Sequence, residues 1–148
     1  MTELKPITIL LVEDNVDHAE LMMDTLKDFN IHNAVVHVGN GEAALAYLNR
    51  QAPYDQGSHV RPNLILLDIK MPRMNGIETL KHIKSDEQLS YIPGVMVSTS
   101  STATEIHQCF ELGASSYVTK PLQFEEFTRK IKALNLYWVL TSELPANR

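Results

Sequence analysis

Five short apolar runs alternate with segments of helical periodicity along this chain of 148 residues. Each run is continuously apolar, which is typical of strands that are buried on both faces of a sheet. Strands that alternate with helices indicate a parallel sheet covered by helices on both faces. Right-handed crossovers restrict the strand order, and the flavodoxin-like order 2-1-3-4-5 places the first and third strands side by side. The predicted strands are 7–12, 34–38, 64–67, 94–97 and 115–118.

The helices are predicted from apolar residues that recur every three or four positions. Asn15 or Asp14 caps the first helix, and the fourth helix is expected to direct Ile106 and Phe110 towards the core. The length fits one domain, 1–148, in which residues 135–148 form a C-terminal extension. The predicted helices are 15–30, 42–50, 77–83, 102–112 and 124–138.

Carboxylates follow two of the predicted strands directly. The first strand is followed by Glu13 and Asp14, and the third strand by Asp68. Because these strands are neighbours, the three side chains are expected to converge at the carboxyl edge of the sheet, where open α/β folds bind their ligands. Such a cluster repels itself unless protons or a divalent cation neutralise it.

The composition and net charge limit the functions that this sequence can have. A net charge of -5 does not favour binding to nucleic acid or to an anionic membrane. Cys109 is the only cysteine, which excludes an internal disulfide and fits a reducing compartment. The chain has no signal-peptide stretch and no run near the ~20 apolar residues that cross a bilayer, so we expect a cytoplasmic location. The six histidines lack metal-ligand spacing and are interpreted as surface or packing residues.

From about Ile7 to Leu134 the chain resembles the receiver domain of two-component response regulators. Five separated features agree with that family in order, each at a predicted strand end or in a strand. They are the acid pair Glu13-Asp14, Asp68 within Asp-x-x-x-Pro-x-x-Asn-Gly, the hydroxyl of Ser98, the aromatic ring of Tyr117, and Lys120-Pro121. The resemblance implies the flavodoxin-like fold with the strand order given above.

The resemblance also implies a metal site and a nucleophile. Asp68 would accept a phosphoryl group from a sensor histidine kinase in a Mg²⁺-dependent reaction. Asp14 and Asp68 would bind Mg²⁺ directly, Glu13 would act through a metal-bound water, and the backbone carbonyl of Lys70 would complete the protein ligands. In the family the Lys-Pro bond is cis, which an X–Pro bond tolerates.

A switch follows from the same resemblance. Lys120 would place its charge on the phosphoryl oxygens, and Ser98 would donate a hydrogen bond to one of them. The inward movement of Ser98 would vacate space into which Tyr117 rotates, which changes the surface of the fourth and fifth helices. Asp68 as a simple turn former and Tyr117 as simple strand packing are the structural alternatives.

A narrower resemblance points to the single-domain regulators of cyanobacterial phytochrome kinases. It rests on the long loop 51–62, on Val97-Ser98-Thr99-Ser100, and on the C-terminal sequence Tyr-Trp-Val-Leu-Thr-Ser-Glu-Leu-Pro. The expected function is a stand-alone response regulator that is not an enzyme beyond slow self-dephosphorylation. Too few residues follow Leu134 for an output domain, so signalling through contact with a downstream protein is expected.

Three other functions are alternatives to that of a phosphorylated receiver. A phosphorylation-independent binding module could keep the same fold. An aspartate-nucleophile phosphatase would carry a second acid two residues after the nucleophile, where Lys70 stands. A flavodoxin would place a phosphate loop after the first strand, where Glu13-Asp14-Asn15 would repel phosphate.

The C-terminal extension is apolar enough to predict a contact. Tyr137, Trp138 and Leu140 continue beyond the end of a minimal receiver, and exposed apolar patches usually mark partners. We expect these residues to form a homodimer interface, with folding back onto the same domain as the alternative.

Overall fold

The computed structural model describes residues 7–27, 33–55, 60–121 and 123–133. Strands and helices alternate strictly through these residues, as predicted. The strands β1 to β5 are Ile7–Val12, Asn33–Val38, Leu64–Asp68, Gly94–Ser98 and Ser116–Thr119. The helices α1 to α5 are Val16–Lys27, Gly41–Leu48, Gly76–Ser85, Ala103–Glu111 and Phe124–Ala133.

All strand pairs are parallel, and the sheet order is β2-β1-β3-β4-β5. The predicted flavodoxin-like order is therefore confirmed. The register aligns the strand ends, because Val12 lies opposite Leu67 and Ser98 lies opposite Thr119. Side chains that follow β1, β3, β4 and β5 consequently meet at one edge of the sheet.

The central strands are buried on both faces, which explains their continuous apolar sequence. In β1, Leu10 packs into one core cluster and Leu11 into the other. The first cluster includes Leu80 of α3, and the second includes Phe127 of α5. No helix among residues 7–27, 33–55, 60–121 and 123–133 is long and apolar enough to cross a membrane.

Three helices begin with asparagine caps, Asn15 for α1, Asn40 for α2 and Asn75 for α3. Asn15 accepts a hydrogen bond from the backbone nitrogen of His18 at 3.0 Å, so Asn15 caps α1 and Asp14 does not make this bond. Asn75 caps α3 in a capping box with Glu78. The capping role that the sequence leaves open between Asn15 and Asp14 therefore belongs to Asn15.

Gly76, the first residue of α3, lies against the end of β3. A Cβ atom at this position would be 2.1 Å from the carbonyl oxygen of Asp68, and the Gly76 nitrogen donates to the carbonyl oxygen of Ile69 at 2.8 Å. Only a residue without a side chain allows this approach. The start of α3 thus fixes the backbone that carries Asp68.

The inward face of α4 differs from the prediction. Cys109 is fully buried, whereas Phe110 is 47% exposed, so the expectation that Phe110 points inward is wrong. The buried stripe advances three residues from Ile106 to Cys109, and a step of four would have selected Phe110. The predicted interface residues Tyr137, Trp138 and Leu140 lie outside the described residues.

Candidate functional site

Three carboxylates come together at the carboxyl edge of the sheet. One oxygen from each of Glu13, Asp14 and Asp68 lies within 4.8 Å of the others. Glu13 is 1% exposed and Asp68 is 3% exposed, whereas Asp14 faces solvent. The cluster is therefore closed towards the core and open on the side of Asp14.

Lys120, which follows β5, inserts its ammonium between two of these acids. Its Nζ lies 2.5 Å from Glu13 Oε1 and 3.0 Å from Asp68 Oδ1, and its side chain is 9% exposed. The peptide bond from Lys120 to Pro121 is cis. We call Glu13, Asp14, Asp68 and Lys120 the acidic cluster. The cluster therefore has three carboxylates and one ammonium, which contacts two of them.

The charges of the acidic cluster perturb one another. Burial raises the pKa of Asp68 to about 6; the Lys120 ammonium opposes this rise, and the charges of Glu13 and Asp14 add to it. Burial lowers the pKa of Lys120, but its hydrogen bonds to Glu13 and Asp68 outweigh burial, so that the pKa is raised overall. At neutral pH the site therefore holds an ionised Asp68 beside a charged Lys120.

Glu13 is held by the chain around it. Its Oε2 accepts a hydrogen bond from the backbone nitrogen of Asn15 at 3.0 Å, and its backbone oxygen lies 2.8 Å from Nε2 of His37 in β2. This leaves Oε1 directed at Lys120. The turn from β1 into α1 thus sets the position of one carboxylate.

Two histidines, the exposed His37 and the half-buried His18, contact the acidic cluster, and the sequence does not predict these contacts. His18 Nδ1 lies 3.2 Å from Lys120 Nζ, and His37 contacts the backbone of Glu13. His18 follows Asp14 by four residues on the first turn of α1, so helical spacing alone could have placed it near the strand ends. A cavity of about 360 Å³ lies beside this contact, between α1 and the loops that carry Thr99 and Pro121.

A second group of polar side chains lies around the carboxyl end of β4, with contributions from β5 and α4. Ser98 and Tyr117 are 1% and 3% exposed. Ser98 Oγ accepts from the backbone nitrogen of Ser100 at 3.0 Å and lies 3.4 Å from Glu105 Oε1. Tyr117 Oη lies 2.6 Å from the same Glu105 oxygen and 2.7 Å from the carbonyl oxygen of Ser100. We call Ser98, Glu105 and Tyr117 the hydroxyl cluster.

The position of Tyr117 differs from the starting point of the predicted switch. The ring is already buried, and burial together with the hydrogen bond to Glu105 raises the pKa of its hydroxyl to about 12. A rotation from an outward position is therefore not available to this conformation. Glu105 was missed in the sequence, although it is an acid in the first turn of α4, seven residues after Ser98.

Lys70 is the predicted site residue that stands apart from both clusters. Its side chain is exposed, whereas the neighbouring Ile69 is 3% exposed. The role predicted for Lys70 uses its backbone carbonyl, so the exposed ammonium is compatible with that role. The structure consequently assigns the Lys70 side chain no contact in the site.

The sequence matches one protein family over most of its length. Residues 9–132 match the response regulator receiver domain. Response regulator Rcp1 of Synechocystis sp. is 34% identical over 141 residues, which cover 95% of this chain and 95% of Rcp1.

Solved structures of similar sequence share the fold. The phosphorylated cyanobacterial phytochrome response regulator RcpA is 35% identical, with a TM-score of 0.77 over 96% of this chain and 100% of that chain. The bacteriophytochrome response regulator AtBRR is 35% identical, with a TM-score of 0.81 over 99% of both chains. The Mn²⁺-bound form of Rcp1 has a TM-score of 0.76 at 34% identity, over 95% of this chain and 100% of that chain.

Proposed function

The chain belongs to the response regulator receiver family, and from that premise we propose that it is a stand-alone receiver whose Asp68 accepts a phosphoryl group from a sensor histidine kinase. One observation carries the proposal: a buried carboxylate lies at the end of β3 with an ammonium 3.0 Å away. The match with Rcp1 spans 95% of both chains, which supports a stand-alone role like that of a regulator of the same length.

Asp68 supplies the nucleophile in the proposed reaction. Lys120 contacts Oδ1, which leaves Oδ2 to form a bond to phosphorus. As this bond forms, the phosphorus–nitrogen bond of the kinase phosphohistidine breaks, and the imidazole leaves with the electron pair. The product is an aspartyl phosphate, and the chain acts as an acceptor and not as an enzyme on a separate substrate.

Lys120 and Ser98 stabilise the transferred group in this proposal. The Lys120 ammonium already faces Asp68 on a side chain that is 9% exposed, where its charge can stabilise phosphoryl oxygens without reorganisation. Ser98 carries an O–H donor at the end of the neighbouring strand β4. Slow hydrolysis of the aspartyl phosphate by water at this site would return the chain to its starting state.

The acidic cluster fits Mg²⁺. Its donors are carboxylate oxygens, which this hard cation prefers, and their negative charge exceeds that of the contacting Lys120. Glu13, Asp14, Asp68 and the backbone carbonyl of Lys70 would hold the ion. When bound, Mg²⁺ would neutralise phosphoryl charge and help to orient the group. The Mn²⁺-bound form of Rcp1 supports a divalent cation in a relative of this chain.

The kinase partner is proposed to be a phytochrome. RcpA and AtBRR are named as phytochrome and bacteriophytochrome response regulators, and this chain is 35% identical to each. The phosphorylated chain would pass the signal on by contact with a downstream protein. Phosphotransfer from a phytochrome kinase that is clearly faster than transfer from an unrelated histidine kinase would support this partner. Equal rates would contradict it.

Phosphorylation with acetyl phosphate and Mg²⁺, followed by intact-mass measurement, tests the proposed function. We expect one added phosphoryl group on the wild type, none on Asp68→Asn, and one on the control Asp24→Asn, whose side chain is exposed on α1. Omission of Mg²⁺ in the presence of EDTA should abolish the addition. Labelling of neither the wild type nor the control, by acetyl phosphate or by a kinase, would favour a phosphorylation-independent binding module.

The homodimer stays a prediction from the sequence. The apolar side chains Tyr137, Trp138 and Leu140 are proposed to contact a second copy of the chain. Light scattering of the wild type should give the mass of a dimer, and Trp138→Glu should give a monomer. A monomeric wild type would instead favour folding of this segment onto its own domain.

A further inference from the structure

Two hydroxyl groups of the hydroxyl cluster share one carboxylate oxygen. Glu105 Oε1 lies 2.6 Å from Tyr117 Oη and 3.4 Å from Ser98 Oγ. We propose that Glu105 is a positioning residue that competes with the phosphoryl oxygens for the proton of Ser98 and links the chemistry at Asp68 to helix α4. The inference rests on the proposed function, because it requires a phosphoryl group at Asp68.

The helix start holds Glu105 in place. Thr102 caps α4, and its Oγ1 accepts from the backbone nitrogen of Glu105 at 3.3 Å. Glu105 therefore lies in the first turn, where the helix dipole favours a negative charge. Its side chain extends from there to the ends of β4 and β5, where both hydroxyls lie. A movement of the carboxylate consequently requires a movement of the α4 terminus or a new rotamer.

Ser98 cannot donate fully to Glu105 and to a phosphoryl oxygen at the same time. A serine or tyrosine hydroxyl has one O–H to donate. Ser98 Oγ accepts from the nitrogen of Ser100 and donates its one proton towards Glu105 Oε1, 3.4 Å away. A phosphoryl oxygen that receives the Ser98 proton removes this donor from Glu105. The carboxylate then keeps Tyr117 as its hydroxyl partner.

Tyr117 has a second acceptor besides Glu105. Its Oη lies 2.7 Å from the carbonyl oxygen of Ser100 as well as 2.6 Å from Glu105. The one phenolic proton therefore already has two acceptors, and loss of the Ser98 contact leaves Tyr117 as the hydroxyl partner of Glu105. Glu105 therefore connects Ser98, the residue proposed to contact the phosphoryl group, with the surface of α4.

Ionisation of Tyr117 tests the contact without any phosphorylation. Burial and the Glu105 carboxylate raise the pKa of Tyr117 to about 12, and the neutral Glu105→Gln should lower it by roughly one pH unit. Tyrosinate absorbance is measured at the highest pH at which circular dichroism shows all variants folded, and Tyr117→Phe identifies the Tyr117 contribution. We expect several-fold more Tyr117 tyrosinate in Glu105→Gln.

The matched control is Glu111→Gln, at the exposed C-terminal end of the same helix. It should leave the Tyr117 ionisation unchanged. If Glu105→Gln behaves as this control does, the shared-carboxylate contact is wrong. The result depends on the hydroxyl cluster alone, so it holds whether or not Asp68 is a phosphoacceptor.

The rate of labelling by acetyl phosphate tests the competition. Removal of the competing charge should raise the initial rate in Glu105→Gln by roughly threefold, as suits a long and weak hydrogen bond, and leave Glu111→Gln unchanged. An unchanged or lower rate in Glu105→Gln would overturn the competition even if Asp68 is phosphorylated. If the wild type accepts no phosphoryl group, the proposed function and the competition both fail, while the tyrosinate result still decides the contact between Glu105 and Tyr117.

Discussion

The acidic cluster and the hydroxyl cluster lie at the same edge of the sheet but differ in charge balance. In the acidic cluster, three carboxylates converge and the ammonium of Lys120 contacts two of them, so negative charge is in excess. In the hydroxyl cluster, two O–H donors meet the carboxylate of Glu105. The acidic cluster can therefore bind a cation, which would balance its excess negative charge. The hydroxyl cluster holds a single carboxylate, and it changes by exchanging hydrogen-bond partners.

Among substitutions in the two clusters, loss of Lys120 should reduce the free energy of unfolding most. Lys120→Met leaves Glu13 and Asp68 buried without their ammonium, and removal of one partner of a buried ion pair costs about 3–5 kcal/mol. We expect a decrease of that size in the free energy of unfolding, measured by urea denaturation without divalent cations. Lys70→Met, at an exposed lysine, is the control. Equal losses in the two variants would contradict a structural role for the Lys120 charge.

Neutralisation of Asp68 should act in the opposite direction. Because burial raises its pKa from 3.8 to about 6, ionised Asp68 destabilises the fold at neutral pH, and Asp68→Asn should stabilise it by about 1–3 kcal/mol. The stability that protonated Asp68 contributes is complete below pH 3.8 and is lost as the pH rises through about 6. The advantage of Asp68→Asn over the wild type should therefore appear above this range and disappear below it.

Urea denaturation at several pH values measures this difference, with Asp24→Asn as the control for the chemical change. Asp24 is exposed in the middle of α1, so its substitution should change the stability little at any pH. A destabilised Asp68→Asn at neutral pH would show that the contact with Lys120 outweighs burial and the repulsion from Glu13.

The hydroxyl cluster should give the smallest effect on stability. Tyr117→Phe removes a buried hydroxyl that bonds to a carboxylate, but it leaves Glu105 on the partly accessible start of α4, so we expect a loss of about 1 kcal/mol. The raised pKa of about 12, against an ordinary value of 10.0, means that this contribution is complete below pH 10 and is lost as the pH rises through about 12. A loss as large as that of Lys120→Met would show that the two clusters do not differ as proposed.

Much of the fold could be predicted because the signals are local or topological. Continuous apolar runs identify the buried strands, and right-handed crossovers leave few orders for them. The meeting of Glu13, Asp14 and Asp68 follows from that order, since each residue lies at or directly after a strand whose end reaches the same edge. No packing detail is needed for this step.

The remaining features depend on helix rotation and on competition between neighbouring groups. Phe110 and Cys109 are adjacent in α4, and the rotation of a helix of nine residues decides which of them is buried. Asn15 and Asp14 compete for one cap, which the backbone turn settles in favour of Asn15. The contact of Glu105 with Tyr117 likewise depends on how α4 is placed over β5. Sequence spacing fixes none of these three outcomes.

Gly76 has no side chain, but its substitution should disturb the backbone that carries Asp68. Any side chain there would collide with the carbonyl oxygen of Asp68, at 2.1 Å for Cβ alone, and would displace the end of β3 or the start of α3. In a deep mutational scan, substitutions at this position should therefore group with those of Asp68 and not with those of the neighbouring helix surface. The set of positions that tolerate no substitution would therefore include Gly76, although Gly76 contributes only its backbone to the site.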